Sequence, residues 1–207
     1  MTYFEHPRSE MLAYVPAQAR RVLDVGCGAG VFGAQLRQQR QAEVWGVEPD
    51  AQAAAQARGR LDRVFCATFD GCAELPAGHF DCVVFNDVLE HMVEPEAALR
   101  RARPLLAPSG VVVASIPNVL EYNTLRDVLL HQDWRYVDAG VLDRTHLRFF
   151  TRKSMKRLFE SAGYTVARLE GINRFGRSRL LAALNLLTRG RFEDLHYIQF
   201  AVVARPA

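Results

Sequence analysis

Short runs of apolar and β-branched residues recur along this chain, separated by longer amphipathic stretches, and the two periods predict an ordered alternation of strands and helices. Strand-like runs lie at 21–25, 43–48, 63–67, 81–86 and 110–116. Between most of them the apolar positions follow a helical period. One helix is predicted over 31–39, a second from the N-cap residue Asp50 to around Gly59, and a third from Pro95 to Leu106 that stops at Pro108-Ser109-Gly110. Farther along, Thr151 caps a helix running to Ala162, Gly163 ends it, a strand follows from Tyr164 to Leu169, and the run from His196 to Ala204 closes the pattern. Strands that alternate with helices imply an α/β fold with a parallel sheet covered on both faces.

Two stretches fall outside this minimal pattern, 117–150 and 172–195. Ligands of open parallel sheets sit beyond the carboxyl ends of the strands, so loops leaving that edge are placed to close over a bound molecule. At 207 residues the chain fits one domain, 1–207, with a core over 20–116 and the two extra stretches as insertions. Its net charge of +3 arises from 26 basic and 23 acidic residues without a dominant basic face, which argues against a nucleic-acid partner. No apolar stretch approaches the roughly 20 residues needed to span a bilayer. Cys27, Cys66, Cys72 and Cys82 form no C-x-x-C pair and nothing at the N-terminus reads as a signal peptide, so reduced thiols and a cytoplasmic location are expected.

The densest chemical signal is Val22-Leu23-Asp24-Val25-Gly26-Cys27-Gly28-Ala29-Gly30, a strand running into glycines and then a helix whose free N–H groups point back at the turn. Gly28 to Gly33 fits the G-x-G-x-x-G pattern literally, and Glu48 lies near the spacing of a carboxylate that holds an adenine ribose. Those features alone allow NAD. Asp24, however, stands where a dinucleotide's pyrophosphate would lie, and like charges repel strongly in a partly buried site. S-adenosylmethionine brings a sulfonium and an ammonium and no phosphate, so an acid at that position favours it.

With the additional segments Trp45-Gly46-Val47-Glu48-Pro49-Asp50 and Phe80 to His91, the chain resembles the class I S-adenosylmethionine-dependent methyltransferases. The segment Asp143 to Thr151 is further similar to one in small bacterial methyltransferases of quinone-biosynthetic and glycan-modifying pathways. The resemblance implies a Rossmann-like sheet of seven mostly parallel strands with the last strand inserted antiparallel, and S-adenosylmethionine as cofactor, leaving S-adenosylhomocysteine as product. It implies cofactor contacts from Gly26, Cys27, Gly28, Gly30, Glu48 and Pro49, from an acid after the third strand for which Asp70 is the nearest match and Thr68 the alternative, and from Asn86, Val88 and His91. Asp24 joins this set by its charge. Near the start, residues 3–8 resemble the segment covering the cofactor pocket, and the guanidinium of Arg8 suits the methionine carboxylate.

For methyl transfer, positioning dominates, and a base is wanted only if the acceptor is a hydroxyl or a protonated amine. His146 is the candidate base, with His91 the runner-up, and each also admits a structural reading. Tyr122, Trp134, Tyr136, Asp143 and Arg148 are candidate acceptor contacts. Asp143 with His146 hints at a metal but lacks a third ligand, so none is expected. Arg174, Arg177 and Arg179 precede an apolar helix over 180–187, making 178–188 a candidate for peripheral membrane or subunit contact, with the protein a monomer or homodimer. The expected activity is O-methylation of a small metabolite, sugar or quinone precursor. The rivals are an NAD-dependent oxidoreductase and a catalytically silent binding module.

Overall fold

A computed structural model describes residues 7–174 and 185–207. The strands are β1 (Arg21–Val25), β2 (Glu43–Val47), β3 (Arg63–Phe65), β4 (Phe80–Asn86), β5 (Leu106–Pro117), β6 (Tyr164–Arg174) and β7 (Tyr197–Pro206). The helices are α1 (Val31–Arg40), α2 (Ala51–Ala57), α3 (Pro95–Ala102), α4 (Tyr122–Arg126) and α5 (Arg152–Ser161). The sheet has seven strands in the order β3, β2, β1, β4, β5, β7, β6. β1 to β5 pair in parallel, and β7 runs antiparallel to both β5 and β6, as the resemblance implied.

Alternate residues of each strand feed opposite faces, which explains why the strands read as unbroken apolar runs. Leu23, Val25, Val83, Phe85, Val112 and Ala114 pack with Leu99 of α3 and Met155 and Phe159 of α5. Val22, Val44, Cys82, Val84 and Val113 pack on the other face with Phe32 and Leu36 of α1 and Ala57 of α2. Helix ends follow local chemistry. Asp50 accepts from Ala53 N and caps α2, and Thr151 and Ser154 form a reciprocal capping box at α5.

Several boundaries differ from the sequence expectation. α3 ends at Ala102 and passes into a single 3-10 turn at Arg103–Leu105. Pro104 cannot donate an N–H to a helical ladder, so the helix does not reach Leu106. β5 then begins at Leu106 rather than at 110, and Pro108-Ser109-Gly110 lies inside the strand as an irregularity, where the pairing with β4 jumps from Phe80↔Leu106 to Cys82↔Val111. β6 likewise runs beyond Leu169 to Arg174, so residues 172–174 are strand paired to β7 rather than insertion.

The insertion after β5 is closed on itself. Asn118 bridges Phe150, Val119 N donates to Phe150 O at 2.9 Å, and the fully buried Asn118 side chain donates to Asp194 O and Tyr197 O. The insertion also docks on the turn after β4, where Leu147 N and Arg148 N both donate to Glu90 O, at 2.8 and 3.0 Å. That docking brings residues 143–148 beside residues 87–91. Among the described residues no helix is long and apolar enough to cross a membrane.

Candidate active site

β1 and β4 are neighbours in the sheet although β2 follows β1 in the chain, so the connections from their carboxyl ends diverge and leave a crevice. A cavity of about 1000 Å³ occupies that edge, at the upper end of the range for ligand pockets. Its wall includes Asp24 near the end of β1 with Gly26 and Gly28 beyond it, Glu48 after β2, Thr68 to Asp70 after β3, Asn86 at the end of β4 with Asp87, Val88, Glu90 and His91 beyond it, and Asp143 to His146 of the insertion.

The glycine loop has a backbone that side chains would forbid. Gly26 and Gly30 have φ of +68° and +79°, and a Cβ on Gly26 would lie 2.6 Å from Val88 Cγ2. Gly30 serves a different purpose from the expected cofactor contact. It does not line the cavity, and a Cβ there would press on Ala57 of α2 at about 3.1–3.2 Å. Gly33 similarly lets α1 approach Val44 and Leu61, so the second and third glycines of the G-x-G-x-x-G match serve packing here.

Glu48 is 4% exposed, and its carboxylate is oriented by backbone donors: Gly28 N reaches Oε2 at 2.8 Å and Asp50 N reaches Oε1 at 2.9 Å. Asp24 is 2% exposed and its Oδ2 has no hydrogen-bond partner among the described residues. Burial, reinforced by the Glu48 charge, pushes the Asp24 carboxyl up to about 7. An orphaned buried acid beside a second acid marks a place built for a cation, which fits a sulfonium and ammonium far better than a pyrophosphate. Cys27 lies beneath the loop, its thiol pushed up by burial and then by Asp24 and Glu48. Thr68 and Asp70 both face the cavity.

Arg8 reaches the cavity wall and is held by Asp87, with its Nη1 donating to Gln199 Oε1 at 3.0 Å. Asp87 in turn accepts from Ser115 Oγ at 3.0 Å and Gln199 Nε2 at 2.7 Å. The guanidinium expected for a methionine carboxylate is therefore already paired to Asp87. Residues 3–6, Arg177, Arg179 and residues 180–184 lie outside the described residues, whereas Leu186 and Leu187 are exposed.

On the β4 side of the cavity stands a group that sequence reasoning did not assemble. Glu90 is 1% exposed and neither carboxylate oxygen has a hydrogen-bond partner among the described residues. Burial, with a smaller push from Asp143, raises its carboxyl to about 8 against the pull of Arg8. The rings of His91 and His146 meet edge to face with centroids 4.7 Å apart. Ligand atoms of Glu90, His91 and His146 all lie within 4.8 Å of one another, a set that can hold a metal ion. Glu90 and His91, not Asp143, are the groups that join His146, and Asp143 instead accepts from Thr145 N and Oγ1 at 2.8 and 2.6 Å. The acid–histidine step Glu90-His91 was visible in the chain, but nothing local shows that the insertion folds back onto it.

The remaining acceptor candidates are not brought to the cavity. Tyr122 sits on α4 away from its wall, and Trp134 is 41% exposed and packs edge-on against Phe149. Tyr136 is exposed, and Arg148 Nη2 donates to Val93 O. Of that set only Asp143 lines the cavity. Trp134, Tyr136 and Arg148 carry aromatic and basic side chains of the right kind, yet the loop leaves them exposed.

Residues 2–169 match the model of a family described as a methyltransferase domain. The chain belongs to the methyltransferase domain family. S-adenosylmethionine is its cofactor, and the nicotinamide alternative falls away. The chain is 30% identical over 162 residues to the ubiquinone biosynthesis O-methyltransferase of Chromobacterium violaceum, covering 74% of this chain and 68% of that protein. It is 34% identical over 122 residues to the trans-aconitate 2-methyltransferase of Methylobacterium radiotolerans, covering 58% of this chain but 47% of that protein. In fold it is similar to a SAM-dependent methyltransferase of Archaeoglobus fulgidus, with a TM-score of 0.68 at 19% identity over 95% of this chain and 91% of the other.

Proposed function

We propose that the protein methylates a hydroxyl oxygen of a small, uncharged acceptor, a class that includes sugars and quinone precursors. The observation that carries this reading is the division of the cavity. Asp24 and Glu48 face it from the β1–β2 side, and Glu90, His91 and His146 from the β4 side beneath the insertion. The first pair receives the cofactor, Glu48 through the ribose hydroxyls and Asp24 through positive charge. When bound, S-adenosylmethionine supplies an electrophilic methyl group with a ready leaving group.

His146 is suited to take the hydroxyl proton. Its Nδ1 lies 3.0 Å from Val141 O, which only accepts, so Nδ1 carries the hydrogen and Nε2 the lone pair. Burial lowers its pKa, keeping the ring neutral and able to accept at pH 7. An acidic acceptor fits poorly. Asp143 and Glu94 face this part of the cavity, and the neighbouring Arg144 is paired to Asp138 at 2.7 Å. A tricarboxylate such as the one named for the Methylobacterium relative would meet those charges without a spare cation.

Incubation with S-adenosylmethionine labelled in its methyl group and a metabolite extract, followed by mass spectrometry, tests the proposal. Label on an oxygen of a neutral small molecule is expected, with His146→Ala slowing the transfer by about 10²- to 10⁴-fold at pH 7. Label on nitrogen or on a carboxylate would contradict it, as would full activity of His146→Ala. Tight cofactor binding with no transfer to any acceptor would favour the silent module.

A further inference from the structure

We propose that Glu90, His91 and His146 form a binding site for a divalent transition-metal ion that holds the acceptor by its hydroxyl oxygen. The inference rests on the methyltransferase reading for the ion's use, but the site itself stands on geometry.

Two imidazoles and one carboxylate, drawn from the turn after β4 and from the insertion, converge on one space in the cavity wall. Metal-bound oxygen and nitrogen ligands sit about 2.0–2.2 Å from an ion, so any two are at most roughly 4.4 Å apart. The present spread of up to 4.8 Å closes with a shift of a few tenths of an ångström. Each imidazole has Nδ1 against a backbone carbonyl, His146 at 3.0 Å from Val141 O and His91 at 3.2 Å from Thr145 O. A carbonyl on one ring nitrogen is the usual support of a metal-ligating histidine, because it fixes the tautomer and aims the other nitrogen.

Glu90 is the second, independent observation. A carboxylate with 1% exposure and no hydrogen-bond partner on either oxygen among the described residues is costly to bury, and the cost is justified where a cation completes it. The donors also select the ion. An N₂O set suits zinc, manganese or iron, whereas magnesium and calcium prefer an all-oxygen shell. Three protein ligands leave a position open, the pattern of catalytic rather than structural sites. An acceptor oxygen placed there is oriented toward the cofactor side, and its hydroxyl proton passes more readily to water. With the ion bound, His146 is a ligand and water accepts the proton, the base role of His146 applying to the metal-free chain. The carboxylates of Glu90 and nearby Asp143 offset the ion's charge, so that it creates no spare cation.

Calorimetric titration of the chelator-treated full chain with Zn²⁺, and separately Mn²⁺ and Mg²⁺, tests the site without measuring activity. One Zn²⁺ or Mn²⁺ per chain is expected, weakened at least 10-fold by either Glu90→Gln or His146→Ala, with Mg²⁺ binding weaker. S-adenosylhomocysteine titrated into the same samples reports whether each variant is folded. Absence of one-to-one binding, binding indifferent to both variants, or preference for Mg²⁺ would overturn the assignment while leaving cofactor binding intact. Failure of S-adenosylhomocysteine to bind the wild-type chain would instead remove the methyltransferase reading, and one Zn²⁺ lost in both variants would still support the site.

Discussion

At the scale of single residues, the cofactor side is built from two acids of unequal situation. Glu48 has a backbone donor on each oxygen, whereas Asp24 is left with an orphaned oxygen and a carboxyl raised to about 7. The sign of the consequence follows by linkage. The unfolded carboxyl titrates near 3.8, so between roughly pH 4 and 7 the folded state holds this proton more tightly, and stability from this group is lost as pH rises through that window. Asp24→Asn is therefore expected to raise the melting temperature of the cofactor-free protein at pH 8 by several degrees and to have little effect near pH 4, while weakening cofactor binding. Melting curves across that range check it, and a gain independent of pH would contradict the assignment. Glu48→Ala removes the proposed ribose acceptor and the partner of two N–H groups, so affinity for S-adenosylhomocysteine should fall by at least about 10-fold. The acidic pair was legible in the chain because Asp24 lies near the end of one strand, two positions before the first glycine, and Glu48 directly follows the next strand. Glu90 was not, since its isolation depends on contacts contributed from 143–148, more than fifty positions away.

At the scale of elements, the glycine loop and the insertion do most to shape the site. Gly26→Ala puts a methyl group 2.6 Å from Val88 Cγ2 at a φ of +68°, so both stability and cofactor affinity should drop. Adding Val88→Ala relieves the collision but not the backbone strain, and a partial recovery of melting temperature is expected; no recovery at all would mean the contact is not limiting. Helix α5, which covers the core beside the insertion's end, starts at the Thr151–Ser154 box. Thr151→Ala should cost about 1 kcal/mol, read as a fall of roughly 2–4 °C in melting temperature. Helix starts and strand identities could be read from Asp50, Pro95 and Thr151, because caps act locally. The early start of β5 could not, since Pro108-Ser109-Gly110 has the composition of a turn and only pairing with β4 makes it an irregular strand. Trp134 and Tyr136 show the same limit: residue type is visible in the chain, direction is not.

At the scale of the whole molecule, the alternation of strands and helices was sufficient for a parallel sheet, and the family pattern supplied what periodicity lacks, the antiparallel entry of β7 between β5 and β6. That topology matters for function. It opens a crevice between the carboxyl ends of β1 and β4, and the closed insertion roofs the β4 side, bringing the cofactor acids and the Glu90–His91–His146 group into one cavity. The most direct measurement of this central claim is calorimetric titration of S-adenosylhomocysteine and NAD into the wild-type chain and the Glu48→Ala variant. One molecule of S-adenosylhomocysteine per wild-type chain is expected, with affinity at least about 10-fold weaker in the variant and no binding of NAD. Equal affinity in the two proteins, or preference for NAD, would contradict the placement of the methyl donor at the ends of β1 and β2.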